Sequence, residues 1–274
     1  MSHRPFLLLT NDDGIFAPGL KHLWEALHEF ADVAIVAPAA EKSGSGASIT
    51  WTKPLVIQPV KWDKDTRAWS LTGTPADCVK MAVSVLLDRK PDMVVSGINR
   101  GSNPGRTVLY SGTIGGVIEG ALKQIPGIAF SFCDLETTPP TSVTKPYIFP
   151  LIQHFLKHPL PVGSILNVNF PLNCEQGIQG FRFAKQGRGY WRESPDLRTH
   201  PQGMPYYWLG GIWTREKDED PDSDIALLEQ GYVTAVPIHV MELTDVAAYK
   251  HLKLSAEKHF NGLSAEPLRS EPSR

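Results

Sequence analysis

The sequence predicts an α/β fold built on a mostly parallel sheet, and three features of its first forty residues support this prediction. The segment Phe6–Gly14 opens with an apolar run that lacks helical spacing, which is typical of a strand buried on both faces. After Pro18, apolar residues recur at helical spacing as far as Phe30, and Val33–Ala37 forms a second apolar run. Because a right-handed crossover through a helix joins parallel strands, these two strands are expected to be parallel.

The alternation of strands and helices continues along the chain. Thr74 and Pro75 predict the start of a second helix, and Ser111 predicts the start of a third that runs to Leu122. A fourth helix is expected at Tyr147–Leu156. The remaining core strands are predicted at four apolar runs: Met93–Ile98, Ile128–Phe132, Ile165–Phe170 and Tyr232–Ile238.

Two segments depart from this alternation. Ile49–Leu71 alternates β-branched and aromatic residues and contains Pro54 and Pro59, a pattern that predicts edge or hairpin strands outside the parallel core. Thr137–Thr144 is rich in proline and threonine and is expected to be a loop. The first of these segments is assigned no chemistry.

The C-terminal part differs in amino-acid composition. Gly177–Gly211 is rich in glycine, arginine and aromatic residues and predicts irregular hairpins or an arm. Its aromatic run Tyr206–Trp208 suits packing or a subunit contact better than a base-stacking platform. Asp218–Asp224 is expected to be acidic and exposed, and Leu252–Phe260 is expected to close the chain as a helix.

Composition and charge narrow the possible classes of function. The chain has 274 residues with 27 basic and 29 acidic side chains, so its formal charge of −2 favours neither nucleic acid nor a membrane surface as a partner. Cys78, Cys133 and Cys174 are odd in number and widely spaced, which predicts free thiols in a reducing compartment. No signal-peptide core or long apolar span is visible, and we expect a soluble, cytoplasmic protein.

Oxygen-bearing side chains follow three of the predicted strands. Asn11, Asp12 and Asp13 follow the first strand, Ser43 lies in the loop after the second, and Asn99 and Asn103 follow the third. Ligands of open α/β sheets bind at the carboxyl ends of the strands, so these groups are expected to share one rim. Mg²⁺ and Mn²⁺ favour such oxygen ligands, and the absence of histidine and cysteine from these loops disfavours zinc.

The same rim carries groups that suit an anion. The glycine-containing loop around Gly44 and the Ser111-Gly112-Thr113 turn at a helix start offer N–H and hydroxyl donors to a phosphate. Asn11, Gly44 and Asn103 are expected to join Ser111, Gly112 and Thr113 in binding the phosphate or substrate. A metal beside an anion cradle predicts phosphoryl chemistry, in which a carboxylate could orient or deprotonate the attacking water.

Each of these signals has a simpler interpretation when taken alone. An acidic pair after a strand is more often a solvated turn, and the 43–48 loop by itself is typical of a flexible connection. Asn99 and Asn103 are common turn formers, and Ser111-Gly112-Thr113 by itself is more often a plain helix cap. The coincidence of all four on one predicted rim favours a functional site.

The motifs that carry these residues resemble, in the same order, those of the SurE survival protein family. The resemblance extends to about Leu243 and rests on these stretches: LLTNDDGIFAPGL (8–20), SGSGASIT (43–50), GTPADCV (73–79), SGINRGSNPG (96–105), YSGTIGGVIEG (110–120), HPQGMPYYWLGG (200–211) and DSDIALLEQGYVTAVPI (222–238).

The resemblance implies a fold and a division of the chain. The expected fold has a Rossmann-like, three-layer α/β/α core with a mostly parallel sheet, followed by an extended hairpin or arm region. Residues 1–274 would form a single SurE-like domain, with a catalytic core at 1–176. The part at 177–274 would contain an oligomerisation arm, the final strand and the tail, and would serve a homodimer or homotetramer.

The resemblance also implies an activity, that of a metal-dependent 5'-nucleotidase that also cleaves 3'-nucleotides and short polyphosphate. The implied ligands of one divalent ion per subunit, Mg²⁺ or Mn²⁺, are Asp12, Asp13, Ser43 and Asn99. The implied phosphate site combines Asn103 with the 111–113 turn.

The leading hypothesis is hydrolysis of nucleoside monophosphates with Asp12 assisting the nucleophile. Whether Asp12 acts as a general base, orients water or attacks covalently stays open at this point. A second hypothesis is a regulatory or stress protein that binds nucleotides without turnover. A third, a haloacid-dehalogenase-like phosphatase, is weaker because its DxDxT pattern is absent and the sequence reads NDDG.

Overall fold

A computed structural model describes residues 4–135, 141–172, 177–257 and 260. The chain divides into two compact units, 1–241 and 242–274. The strands run in chain order as β1 Phe6–Thr10, β2 Asp32–Pro38, β3 Ile57–Pro59, β4 Arg67–Leu71, β5 Met93–Arg100, β6 Gly127–Phe132, β7 Ser164–Phe170, β8 Gly180–Phe183, β9 Tyr190–Arg192, β10 Asp196–Thr199, β11 Pro205–Trp208, β12 Ile212–Thr214 and β13 Tyr232–His239. The helices are α1 Pro18–Leu27, α2 Pro75–Met81, α3 Gly112–Leu122, α4 Thr141–Lys157, α5 Asp224–Glu229 and α6 Val246–Leu252.

Nine strands form the main sheet in the order β3-β4-β2-β1-β5-β6-β7-β13-β8. The strands from β4 to β7 in this order are parallel, whereas β13 runs antiparallel to β7 and β8 runs parallel to β13. The parallel β-α-β unit predicted for the first forty residues is therefore confirmed. The carboxyl ends of β1, β2 and β5 meet at one edge, where ligands of such sheets bind.

The prediction that Ile49–Leu71 lies outside the parallel core is wrong for its last strand. β4 pairs with β2 in parallel, from Arg67 opposite Ala34 to Leu71 opposite Pro38. Only β3 is an antiparallel edge strand. Both prolines of the segment precede β4, so each residue of β4 keeps the N–H group that a sheet strand needs.

Helices cover both faces of the sheet, which confirms the three-layer α/β/α architecture. Leu7 and Leu9 of β1 lie in a core with residues of α1 and α4, such as Leu23 and Ile152. Leu8, between them, faces the opposite core with residues of α2 and α3. Since successive side chains of a strand point to opposite faces, the unbroken apolar run of β1 follows from burial on both sides.

The start of α2 is as predicted. The Thr74 hydroxyl accepts from the Asp77 N–H at 3.2 Å, and the Asp77 carboxylate accepts from the Thr74 N–H at 3.0 Å. This reciprocal pair satisfies two donors at the helix start, and Pro75 occupies a position where no N–H is required.

Two helix boundaries differ from the predicted ones. α4 begins at Thr141, inside the predicted loop Thr137–Thr144, and contains both Pro146 and Pro150. Burial of Thr144 and of the apolar residues after it stabilises the helix despite its prolines; residues 136–140 lie outside the described residues. In the second unit, α6 begins at Val246, before the predicted start at Leu252, and continues as a π-helix over Lys253–Glu257 within the predicted range Leu252–Phe260. The Asp245 carboxylate sets the earlier start by accepting from the Ala248 N–H at 2.9 Å.

The predicted hairpin region is confirmed between residues 190 and 214. There β9 pairs with β12 and β10 with β11, in two antiparallel ladders outside the main sheet. The division into a core at 1–176 and a C-terminal part at 177–274 stays a prediction; β8 and β13 of that C-terminal part belong to the main sheet. Within the described residues, no helix has the length and apolarity needed to cross a bilayer.

Candidate phosphatase site

The Asn-Asp-Asp-Gly turn after β1 is shaped by its own asparagine. Asn11 is buried, its Nδ2 donates to the Gly14 carbonyl at 3.0 Å, and its Oδ1 accepts from the Gly14 N–H at 3.3 Å. Gly14 has a φ of +108°, which residues with a side chain rarely adopt. The structure therefore shows Asn11 forming the turn that presents the two acids.

Asp12 is a buried carboxylate, and one of its oxygens accepts a hydrogen bond from a residue of α3. Its side chain is almost inaccessible, and its Oδ1 accepts from the Thr113 hydroxyl at 2.5 Å. Burial raises the pKa of Asp12 to about 6; the Thr113 hydrogen bond opposes this rise and the charge of Asp13 adds to it. Among the described residues, no lysine or arginine forms an ion pair with Asp12. A cation beside this carboxylate would offset the cost of burying its charge.

Asp13 links the ends of β1 and β5. Its Oδ2 accepts from the backbone N–H of Arg100 at 3.2 Å. Burial raises the pKa of Asp13, whereas the hydrogen bond from Arg100 and the Arg100 charge lower it. Asp13 is therefore held next to the strand that supplies Asn99.

The loop after β2 is tied to both neighbouring elements. The Lys42 N–H donates to the Asp12 carbonyl at 2.7 Å, and the Gly46 N–H donates to the Tyr110 carbonyl at 2.9 Å. Between these anchors, the exposed Ser43 hydroxyl donates to a Glu41 carboxylate oxygen at 2.7 Å, and Gly44 has a φ of +74°. These bonds place Ser43 and Gly44 beside Asp12.

Asn99 belongs to the end of β5 because the strand extends to Arg100, two residues beyond the predicted end at Ile98. Its Nδ2 donates to the Gly101 carbonyl at 2.6 Å. Since this bond uses the amide nitrogen, Oδ1 is the atom that could bind a hard cation.

Asn103 is fixed by polar residues of the neighbouring strands. Its backbone N–H donates to Asn169 Oδ1, its carbonyl accepts from Asn167 Nδ2, and its own Nδ2 donates to the Ser131 hydroxyl, each at 2.8 Å. Sequence reasoning missed these three partners. The available signal was a pair of asparagines two residues apart in the otherwise apolar strand SILNVNF.

The N-terminus of α3 lies directly against the acids. Ser111 caps the helix by accepting from the Ile114 N–H at 3.2 Å. A Cβ on Gly112 would stand 2.8 Å from the Asp12 Cβ and 2.7 Å from the Ser45 hydroxyl oxygen, so only glycine permits this approach. The helix dipole and its free N–H groups favour an anion here. Ser45, which sequence reasoning missed, has a buried hydroxyl without a hydrogen-bond partner among the described residues.

A cavity of about 760 Å³ collects six of the predicted site residues: Asp12, Ser43, Gly44, Asn99, Asn103 and Ser111. The other four are not part of its described lining. Asn11 forms the turn, Asp13 binds the β5 backbone, and Thr113 and Gly112 lie against Asp12. The sequence-predicted rim is thus brought together in space, while the individual roles as metal and phosphate ligands stay predictions.

The residues present fit a hard divalent cation. No group of three histidine, cysteine, aspartate or glutamate side chains suited to a metal occurs in the described part of the chain. The predicted set instead combines two carboxylates with the hydroxyl of Ser43 and the amide oxygen of Asn99. Mg²⁺ is commonly bound by one or two carboxylates, with waters and substrate phosphate completing its shell.

Asp224 is a further buried acid, next in sequence to Ile225 of the cavity lining, and its environment corrects the prediction that Asp218–Asp224 is exposed throughout. It is 1% exposed, and its two oxygens accept from the N–H groups of Gly105 and Gly187 at 3.0 and 2.9 Å. Burial raises the pKa of Asp224, and these backbone bonds oppose that rise. Asp224 is the first residue of α5, a position where a carboxylate also satisfies the helix dipole.

Comparison with known proteins places this geometry in a family. The family model described as "Survival protein SurE" matches residues 7–193, which contain all the predicted site residues. The chain belongs to the SurE family. It is 44% identical to the 5'-nucleotidase SurE of Protochlamydia amoebophila over 263 residues, which cover 95% of this chain and 100% of that protein.

Two further comparisons agree. The 5'-nucleotidase SurE of Christiangramia forsetii is 42% identical over 252 residues, covering 91% of this chain and 95% of that protein. The crystal structure of the SurE protein from Aquifex aeolicus superimposes with a TM-score of 0.76 at 36% identity, covering 91% of this chain and 99% of that one. The predicted SurE-like fold is thereby confirmed.

Proposed function

We propose that this chain is a metal-dependent phosphatase that hydrolyses nucleoside 5'-monophosphates to nucleoside and phosphate. The observation that carries the proposal is the contact between the buried Asp12 carboxylate and the N-terminus of α3, in which an acid and an anion-binding helix start share one cavity. The same chemistry extends to 3'-nucleotides and short polyphosphate, because each presents a terminal phosphoryl group to these donors.

One divalent ion per subunit, Mg²⁺ or Mn²⁺, is proposed to bind Asp12, Asp13, Ser43 and Asn99. When bound, the ion neutralises phosphate charge and makes phosphorus more electrophilic. Both carboxylates are partly or fully buried and have raised pKa values, which supports this assignment because a cation favours their ionised forms.

The phosphate is proposed to bind the α3 N-terminus. Gly112 and Thr113 supply backbone N–H groups at the helix start, Ser111 caps it, and Asn103 and Gly44 border the same space. Asn11 takes part indirectly by holding the turn. Negative charge that develops on the phosphoryl oxygens is stabilised by these fixed donors.

Asp12 is proposed to orient the attacking water and to receive its proton. The Thr113 hydroxyl holds Oδ1, which fixes the plane of the carboxylate. The water oxygen forms a bond to phosphorus, and the bond between phosphorus and the ester oxygen breaks. The ester oxygen takes up a proton from solvent to give the free nucleoside, and Asp12 releases the proton it received to solvent. A phospho-aspartate trapped on Asp12 would instead indicate covalent attack.

The experiment is phosphate release from 5'-AMP, 3'-AMP and tripolyphosphate by the purified chain, before and after treatment with EDTA. Release from 5'-AMP should stop on chelation and return when Mg²⁺ or Mn²⁺ is added in excess. Turnover that EDTA leaves unchanged would contradict the proposed metal dependence. Tight AMP binding without phosphate release under any divalent metal would identify a binding protein instead.

A homodimer or homotetramer that assembles through the β10–β11 hairpin is also proposed. This hairpin exposes Leu197, Tyr206, Tyr207 and Trp208, more apolar surface than a solvated hairpin needs. Light scattering of the parent chain and of a Tyr207→Ser/Trp208→Ser variant tests it, because an unchanged mass would place the interface elsewhere. A cytoplasmic location is proposed from Cys78, whose buried thiol is free.

A further inference from the structure

The cavity continues past the phosphate end to an apolar wall that the chemistry above does not use. We infer that Trp191 and Trp213 form a stacking wall for the nucleobase, so that the enzyme selects phosphate monoesters that carry a base. This inference rests on the proposed nucleotidase function and deepens it. Both tryptophans line the same cavity as Asp12 and Asn99, together with Ile225 and Leu228.

The two indoles lie on the same face of the β9–β12 ladder because of strand pairing. Trp191 of β9 stands directly opposite Trp213 of β12, and side chains opposite each other in an antiparallel ladder share a face. Their ring centroids are 5.6 Å apart at an interplanar angle of 63°. Trp191 is 52% exposed although it lines a cavity, so much of its ring surface is open to a ligand.

Glycines immediately before the two strands allow this arrangement. A Cβ on Gly189 would stand 2.8 Å from Cζ2 of Trp213, and a Cβ on Gly211 would stand 3.2 Å from Cε3 of Trp191. Both rings therefore pack against backbone that carries no side chain. This packing limits ring movement and favours a preformed stacking surface.

Two sets of hydrogen bonds connect the segment that carries Trp191 to the segment that follows Asn103. The Arg106 N–H donates to the Gly189 carbonyl at 2.9 Å, and Asp224 bridges the N–H groups of Gly105 and Gly187. Gly105 lies two residues after Asn103, so these hydrogen bonds also fix the distance between the phosphate donors and the indoles. A ligand that fills both ends must have a charged group and a planar apolar group at a set separation.

A nucleoside monophosphate matches these requirements. The cavity volume of about 760 Å³ lies within the range that accommodates compact organic ligands. Glu229 also lines the apolar end, but its carboxylate pairs with Arg215, which reduces the net charge that an uncharged base would meet. Stacking on aromatic rings tolerates every base, so we expect activity on all nucleotides with a preference for the larger purines.

The test compares AMP with ribose 5-phosphate, which keeps the phosphate and sugar but lacks the base. In Trp213→Ala and Trp191→Ala, kcat/KM for AMP should fall by about tenfold or more, while kcat/KM for ribose 5-phosphate stays within about twofold. Trp213→Phe should recover part of the loss on AMP. Trp51→Ala, which removes an exposed tryptophan outside the cavity lining, should alter neither substrate.

Product inhibition gives a second readout. The inhibition constant of adenosine should rise in the two alanine variants by the same factor as the loss on AMP, whereas that of inorganic phosphate should not change. An equal loss on AMP and ribose 5-phosphate would overturn the stacking role and indicate a structural one. Unchanged kcat/KM for AMP in both variants would overturn it as well.

Failure of the proposed function would be recognised separately. If the parent chain releases phosphate from neither substrate with any divalent metal, the nucleotidase proposal is wrong. Calorimetric binding of AMP to the parent and to Trp213→Ala then tests the wall by itself. Equal affinities would overturn the inference, and weaker binding by the variant would support it.

Discussion

The two ends of the cavity are built in contrasting ways. The phosphate end lies on the edge of a nine-stranded sheet, and its residues are largely buried and bonded to backbone or to one another. The apolar end lies on the short β9–β12 ladder, outside that sheet, and presents partly exposed tryptophans. In our proposal, the reaction, which needs fixed atoms, takes place on the main sheet, whereas substrate selection depends on a peripheral element.

The largest expected effect comes from Asp12→Asn, which should reduce kcat for AMP and ribose 5-phosphate alike by about a thousandfold or more. The amide keeps the shape of the side chain but loses the charge that holds a cation and accepts a proton. Steady-state phosphate release measures both substrates. Asp88→Asn, which changes an exposed acid paired with Arg67, is the matched control and should be neutral.

Comparing the two substrates in Asp12→Asn distinguishes a role in the reaction from a role in base recognition. A loss confined to AMP would mean that Asp12 contributes to base recognition and would remove the contrast with Trp213. Unchanged turnover would remove Asp12 from the reaction altogether.

The second effect concerns stability in the absence of metal. The pKa of Asp12 is about 6 in the folded chain, above the ordinary value of 3.8 expected after unfolding, so the folded state binds more protons between these values. Stability of the metal-free protein should therefore decrease as pH rises from about 4 to about 6, by roughly 3 kcal/mol at most from this group.

Urea denaturation of the metal-free chain and of Asp12→Asn across this pH range isolates the contribution. The variant should lack this part of the decrease, and saturating Mg²⁺ should reduce it in the parent. Identical pH dependence of parent and variant would show that burial of Asp12 carries no such cost.

A smaller effect is expected from Asp224→Asn, which alters the connection between the two ends. One of the two N–H groups held by the carboxylate would lose its acceptor and face an amide NH₂, so the free energy of unfolding should fall by about 1–3 kcal/mol. Because Gly105 and Gly187 would no longer be held together, KM for AMP should rise more than KM for ribose 5-phosphate. Denaturation curves and the two KM values measure these effects.

Asp222→Asn is the matched control for this change, since Asp222 lies two residues away on the surface and its carboxylate pairs with the exposed Lys185 side chain. Equal rises of KM on both substrates in Asp224→Asn would mean that the connection supports the phosphate end alone.

Much of the phosphate end could be predicted from sequence because the signals for its strands and helix starts come from residues close together in the chain. Buried apolar runs identify parallel strands, and their carboxyl ends must meet. Asp12 and Asn99 lie just after such runs, and Ser43 lies in the loop that follows one. The Thr74 cap and the Ser111 helix start were predictable for the same reason, since a cap depends on residues within one helical turn.

The apolar end could not be predicted because it depends on contacts between distant segments. Trp191 and Trp213 are separated by 21 intervening residues, and only the pairing of β9 with β12 brings them together. Burial of Asp224 likewise depends on the segments around Gly105 and Gly187, and nothing in the acidic run Asp218–Asp224 distinguishes its last member. The parallel pairing of β4 was missed because Pro54 and Pro59 suggested an edge for the whole segment.

The most direct test of the central claim, a cation centre built by the strand ends, is the number of Mn²⁺ ions bound per chain at equilibrium. Electron paramagnetic resonance of free Mn²⁺ in the presence of the parent, Asp12→Asn and Asp13→Asn chains measures it without requiring turnover. We expect one ion per chain in the parent and at least a tenfold weaker affinity in both variants. Equal Mn²⁺ binding by all three chains, or none by the parent, would contradict it.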